Sequence, residues 1–160
     1  MPEPIPTLDD VAAIMALTAN EGAAAAFAAT DALAQRLFGH NLFTVTRSLH
    51  DTMEVERAYS SNPAAYPLGG RKQKQDTHWG HVVLDRGEMM VCDTPDDIRR
   101  VFADHELILS LGITTMVNVP ILYAGRSLAT INISHATRRW GTETHPGLRI
   151  LAGLLTASVM

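Results

Sequence analysis

The chain reads as an α+β fold: a central antiparallel sheet, terminal helices on one face, and a ligand pocket under loops and short helices on the other. Three observations predict it. The elements run helix, helix, strand, strand, a mixed stretch, strand, strand, helix, without the regular alternation of a doubly wound parallel sheet. Gly112 to His135 reads as two strands joined by a tight turn, each with two chemically different faces. A long stretch from Ser60 to Ser110, rich in Pro and Gly at its start, is available to cover one of those faces.

Taken in order, Thr7 is an N-cap, with Asp9 and Asp10 in the first turn and Leu8, Val11, Ile14, Met15 and Leu17 near helical spacing. A second, alanine-rich helix runs from Asn20 or Glu21 to Phe38 and stops at Gly39. Phe27, Ala34, Leu37 and Phe38 form its inward side. Leu42 to Leu49 and Val55 to Ser61 pair as antiparallel strands around His50-Asp51-Thr52. Phe43 and Val45 lie on one side of the first, with Leu42, Thr44, Thr46 and Ser48 on the other. Ser60-Ser61-Asn62-Pro63 and Tyr66-Pro67-Leu68-Gly69-Gly70 mark an irregular loop. A short helix follows from Thr77 to Leu84, then a brief strand from Met89 to Val91. Thr94-Pro95-Asp96-Asp97 starts a helix with a cap, a proline in the first turn and acids at the positive dipole end. It turns Ile98, Val101, Phe102 and Leu109 inward, with His105 beside them, and stops at Gly112.

The strand pair that follows carries most of the functional information. Ile113, Val117, Val119 and Ile121 alternate with Thr114, Met116, Asn118 and Pro120. On the return, Ala129, Ile131 and Ile133 alternate with Thr130, Asn132 and Ser134. The second face holds no charge, which suits a lined cavity better than open solvent. Gly125 supplies the positive φ of the turn. A last helix runs from Thr144 to Val159 on a stripe of Leu148, Leu151, Leu155 and Val159.

These segments divide one domain over 1–160 into N-terminal helices (1–38), sheet and pocket insertion (39–141) and a C-terminal helix (142–160). At 160 residues and 46% hydrophobic, the chain suits one ordinary globular domain. A net charge of −4 carries no footprint for nucleic acid. No apolar run is long enough to span a bilayer, and Pro2-Glu3-Pro4-Ile5-Pro6 is unlike a signal peptide. A single cysteine, Cys92, excludes an internal disulfide and makes the cytoplasm the expected compartment.

Leu111-Gly112-Ile113, Val119-Pro120-Ile121, Gly125, Leu128 to Ile133 and Trp140-Gly141-Thr142 with the last helix resemble the GAF domain family, over nearly the whole chain. Ala129 stands where many members have glycine. Arg57-Ala58-Tyr59-Ser60-Ser61-Asn62-Pro63 with Tyr66-Pro67 and Lys72 looks like a subgroup of small, stand-alone members. The resemblance implies a GAF/PAS-like cytosolic sensing domain without its own output domain, frequently dimeric through terminal helices. It supplies neither ligand nor cofactor, since members bind chemically diverse metabolites.

The expected pocket lies between the uncharged sheet face and the insertion. Its candidate lining is Tyr59, Ser61, Tyr66, His78, Trp79, Met116, Asn118, Thr130, Asn132 and Ser134. Tyr59 and Tyr66 each pair an apolar ring with a polar tip. Asn118 and Asn132 either serve a ligand or bond to each other and to loop backbone. His78 and His81 have spacing for a shared metal but no third ligand, so the reading is one partly buried and one solvent-facing histidine, with no metal. Arg57 either pairs a ligand carboxylate or joins a cross-strand ion pair. Arg71-Lys72-Gln73-Lys74 reads as a solvated loop, and Gly69-Gly70-Arg71-Lys72 lacks the spacing of a P-loop. The resemblance extends to free methionine-R-sulfoxide reductases, the alternative reading. That chemistry needs an attacking and a resolving cysteine, and one chain with one cysteine cannot supply both.

Overall fold

The computed structural model describes residues 3–160, so Pro2 of the proline-rich start lies outside it. Helices α1 (Leu8–Glu21) and α2 (Ala23–Phe38) are separated by Gly22 at φ +88°. Thr7 caps α1 reciprocally: its hydroxyl accepts from Asp10 N–H, and the Asp10 carboxylate accepts from Thr7 N–H. Strands β1 (Leu42–Leu49), β2 (Glu54–Ser60) and β3 (Arg71–Gln73) follow. A π-helical segment over Gly80–Asp85 leads to β4 (Met90–Cys92). Next come α3 (Pro95–Val101), α4 (His105–Ser110), β5 (Thr115–Tyr123) and β6 (Arg126–His135). A 3-10 turn over Thr142–Thr144 precedes α5 (His145–Leu154) and α6 (Thr156–Val159).

The sheet has six strands in the order β3-β2-β1-β6-β5-β4, and every pair is antiparallel. Its alternation works as expected. Phe43, Val45, Val117, Val119, Ile131 and Ile133 point to one side and meet Phe27, Leu33, Phe38, Leu148 and Leu151 from the helices. Each such side chain contributes roughly 1.5–3 kcal/mol on burial. Leu42, Val55 and Met116 point to the other side, where Tyr66, Trp79, Val83 and Phe102 complete a second cluster. The β5–β6 turn uses positive φ at both Ala124 and Gly125, the conformation whose twist matches the strands it joins.

Four local readings are corrected. The basic segment is not a loop: Arg71–Gln73 forms the edge strand β3 against Glu54–Glu56. The helix expected over Thr77–Leu84 winds as a π-helix from Gly80. The long helix expected before Gly112 is two, broken where Phe102 takes an extended conformation and buries its ring. The terminal helix breaks again at Leu155, with α6 completing it.

Candidate functional site

Between the second sheet face and the elements from Tyr66 to Ile108 lies a partly open cavity of about 70 Å³. Its floor is Leu42, Thr44 and Thr46 of β1, Met116 and Asn118 of β5, and Asn132 and Ser134 of β6. Its side and roof come from Val55 and Arg57 of β2, Tyr66, Lys72, Lys74 and Trp79 of the lid, and Phe102, Asp104 and Ile108 around α3 and α4.

A hydrogen-bond chain crosses this floor. Trp79 Nε1 donates to Asn118 Oδ1 at 3.0 Å, and Asn118 Nδ2 donates to Asn132 Oδ1 at 2.7 Å. Asn132 Nδ2 then donates to Thr44 Oγ1 at 3.1 Å and Thr46 Oγ1 at 3.4 Å. The two asparagines therefore spend most of their capacity on each other, on the lid and on β1.

The cationic groups are less engaged. Arg57 is 8% exposed; its Nη1 donates to Pro67 O at 2.9 Å, its Nε has no partner, and its guanidinium lies 4.7 Å from the Tyr66 ring centroid. Lys74 is 9% exposed and sets its ammonium 4.6 Å from the Trp79 ring centroid and 5.6 Å from that of Phe102. Cation–π contacts of this kind contribute roughly 0.5–2 kcal/mol, less than the cost of desolvating a lone cation. Burial, with the Lys72 charge adding and Asp104 opposing, accordingly pushes Lys74 down to about 8. Burial also lowers Arg57, against the pull of Tyr66 and Asp104. The one carboxylate of the wall, Asp104, is taken: Lys72 Nζ and Tyr66 Oη both donate to it. Burial alone would raise Asp104, but Lys72 and Tyr66 hold it below the usual carboxylate range.

Six of the ten expected residues come together in the wall: Tyr66, Trp79, Met116, Asn118, Asn132 and Ser134. Thr130 shares the face and is fully buried with its Oγ1 unpartnered, but it does not reach the cavity. The remaining three lie elsewhere. Tyr59 faces the helices, donating to Asp31 Oδ2 at 2.7 Å with its ring against Phe27 and Phe43. Ser61 is exposed, its hydroxyl accepting from Phe43 N–H. His78 and His81 are both exposed, with His81 on Asp85 of its own turn. Among the described residues no group of three potential metal ligands gathers.

The displacement of Tyr59 has a definite cause. Val45 pairs with Tyr59 and Thr46 with Arg57, so Ala58 is an extra residue in β2. This bulge turns Arg57 to the cavity and Tyr59 to the helices, although plain alternation puts both on one face. Lys74 lies just beyond β3, where Lys74 N–H donates to Met53 O, so the end of that unexpected strand delivers its side chain under the lid.

Cys92 is buried on β4 opposite Met116. Burial, with Asp97 and Asp93 adding, pushes its thiol up to about 12, far from an attacking thiolate.

The family model for the GAF domain matches residues 9–159, and the chain belongs to that family. No curated protein matches it in sequence. Solved structures match in fold. The GAF domain of an Acinetobacter phosphoenolpyruvate-protein phosphotransferase is 13% identical at a TM-score of 0.73, covering 95% of this chain and 91% of its own. The GAF domain of a two-component sensor histidine kinase from Bacillus halodurans is 13% identical at 0.67, covering 96% and 93%. Free methionine-R-sulfoxide reductase from Neisseria meningitidis, solved with its substrate, is 18% identical at 0.61, covering 93% and 85%. Among the described residues, no helix is long and apolar enough to cross a membrane.

Proposed function

We propose that this GAF domain is a cytoplasmic sensory module that binds a small molecule in the cavity between sheet and lid and relays its occupancy. The observation that carries this reading is the unfilled space on the sheet face opposite the helices, roofed by the least regular part of the fold. The floor is rigid, being the middle of a six-stranded sheet. The roof is a π-helical segment, three-residue strands and two short helices, elements that open more readily than a sheet interior. A rigid floor under a yielding roof lets binding energy become a conformational signal.

The module is further proposed to act as a homodimer through its terminal helices. Leu8 at 87% exposure and Met15 at 61% sit one heptad apart on α1 and are apolar surface without a partner in the monomer. The test of the binding reading is thermal stability across a metabolite library, with native mass spectrometry of protein purified from its host. A bound small molecule, or a melting shift following RT ln(1 + [L]/Kd), supports it. A bare mass and no shift with any compound overturn it.

A further inference from the structure

We infer that the cavity takes a small organic oxyanion, its charged end between Arg57 and Lys74 and its apolar part against Leu42, Val55, Phe102 and Met116. This rests on the binding reading above and adds the chemical class of the ligand.

The charge balance of the wall points to it. Three cations, Arg57, Lys72 and Lys74, face one carboxylate, Asp104. Lys72 bonds Asp104, which leaves Arg57 and Lys74 with no carboxylate in ion-pair contact among the described residues, only the more distant pull of Asp104. Both are more than nine-tenths buried, and both line the cavity. A buried cation that meets only aromatic faces and one backbone carbonyl is an unfinished electrostatic site. Its missing component is negative charge.

The surroundings hold these cations in place. A Cβ on Gly70 would stand 2.8 Å from Arg57 Nη1, so glycine leaves room for the guanidinium. A Cβ on Gly80 would stand 2.2 Å from Lys74 O, so glycine also permits the lid to close on the Lys74 backbone. From that backbone position the side chain carries its ammonium to the faces of Trp79 and Phe102.

Size and polarity limit the rest of the ligand. The cavity is about 70 Å³, roughly half of the 150 Å³ apolar cavity that admits benzene. Short acids fit it as it stands, and longer ones require the lid to lift. With the asparagines bonded to each other and to Trp79, the part distant from the charge meets mainly apolar walls. Carboxylates and phosphate esters share this chemistry, and the experiment separates them.

The full-length chain is titrated with acetate, butyrate, inorganic phosphate and ethyl phosphate, and with the neutral and cationic counterparts butyramide and butylamine. The readouts are calorimetry and the indole N–H resonance of Trp79. The expected result is that one oxyanion series binds, butyramide and butylamine do not, and affinity falls at least tenfold in Arg57→Gln and in Lys74→Met. Which series responds identifies the oxyanion. A second measurement needs no variant: because burial holds Lys74 down to about 8, anion binding at about pH 8.5 draws a proton onto it. Calorimetry in two buffers of different ionisation enthalpy counts that proton. Binding of butyramide or butylamine with a shift at Trp79 overturns the oxyanion while leaving the binding reading intact. Oxyanion binding without proton uptake, or undiminished in both variants, overturns the assignment to Arg57 and Lys74. Silence of every probe at Trp79 overturns it too, and a metabolite-library hit elsewhere would then show the binding reading standing alone.

Discussion

Trp79 on the lid donates its indole N–H to the side-chain oxygen of Asn118 on the sheet floor, at 3.0 Å and out of contact with water. This bond ties the roof of the cavity to the middle of β5 and continues through Asn132 to β1. It is a fully buried side-chain link between the two layers that enclose the cavity. A ligand that lifts the lid must stretch it.

Asn118→Leu keeps the branching but strands the Trp79 N–H and the Asn132 side-chain oxygen. Each unsatisfied buried group costs about 1–3 kcal/mol, so a loss of about 2–6 kcal/mol in urea unfolding is expected. Trp79→Phe also removes ring area and costs a similar amount. In the double variant the two losses are less than additive, by about 1 kcal/mol. Strict additivity would mean that the bond does not couple lid to sheet.

The helix side of the same sheet carries its own test. Asp31 accepts from Tyr59 Oη at 2.7 Å and lies 2.6 Å from His40 Nε2, which fastens α2 to β2 and to the turn before β1. Tyr59→Phe removes one charge-assisted bond and costs about 1.5–3 kcal/mol. Ligand binding in the cavity stays unchanged, because Tyr59 points away from it. A variant of unaltered stability that fails to bind would place Tyr59 back among the pocket residues.

That contrast shows what sequence could and could not reveal. Alternation in β5 and β6 was legible, since apolar and polar positions differ at every step, and it located Met116, Asn118, Asn132 and Ser134. Alternation in β2 is no guide, because Arg57, Tyr59 and Ser61 share one parity and nothing in the letters marks Ala58 as a bulge. The edge strand β3 was illegible for another reason. An arginine, two lysines and a glutamine in a row look like a solvated loop until Met53 and Glu54–Glu56 are seen to pair with them. Lys74 was missed with it. The signal that remained was composition: Gly69-Gly70 beside a basic run, where close backbone packing and cations coincide.

The lid's approach to β3 depends on Gly80. An added Cβ would meet the Lys74 carbonyl oxygen at 2.2 Å, and that atom is backbone, held by the Thr77 hydroxyl at 2.7 Å. Gly80→Ala therefore displaces the π-helical segment and costs about 2–4 kcal/mol, well beyond an ordinary surface substitution. Amide exchange over 77–85 rises at the same time, while exchange in β1 and β6 is little changed. A neutral Gly80→Ala would show that the close approach is absent in solution.

If the terminal helices pair two copies, Leu8 and Met15 are the side chains that do it. Leu8→Glu with Met15→Glu leaves the fold intact, since both positions are exposed in the monomer. The expected result is a shift from dimer to monomer in sedimentation, by at least tenfold in dissociation constant. A monomeric wild-type chain, or a dimer indifferent to both changes, rejects this interface.

The pH dependence of stability reports on Lys74. Its folded value is pushed down to about 8 from an ordinary 10.5, so the unfolded chain binds this proton more tightly than the folded one. Folding is then penalised at every pH below 8, and the penalty fades as pH rises from 8 towards 10.5. The linkage amounts to about 3 kcal/mol at most, an upper bound because burial relaxes when the lysine is charged. Lys74→Met, with a similar apolar stem and no charge, should be more stable than wild type at pH 7 by about 1–3 kcal/mol and lose this part of the alkaline slope. A bound oxyanion changes the wild-type profile in the opposite sense. It favours the charged lysine, so stabilisation by ligand is greatest below pH 8 and weakens about tenfold in affinity for each unit above it, until Lys74 is neutral in the complex as well. Wild type and Lys74→Met with superimposable pH profiles, with and without ligand, would show that Lys74 carries its charge in water rather than under the lid.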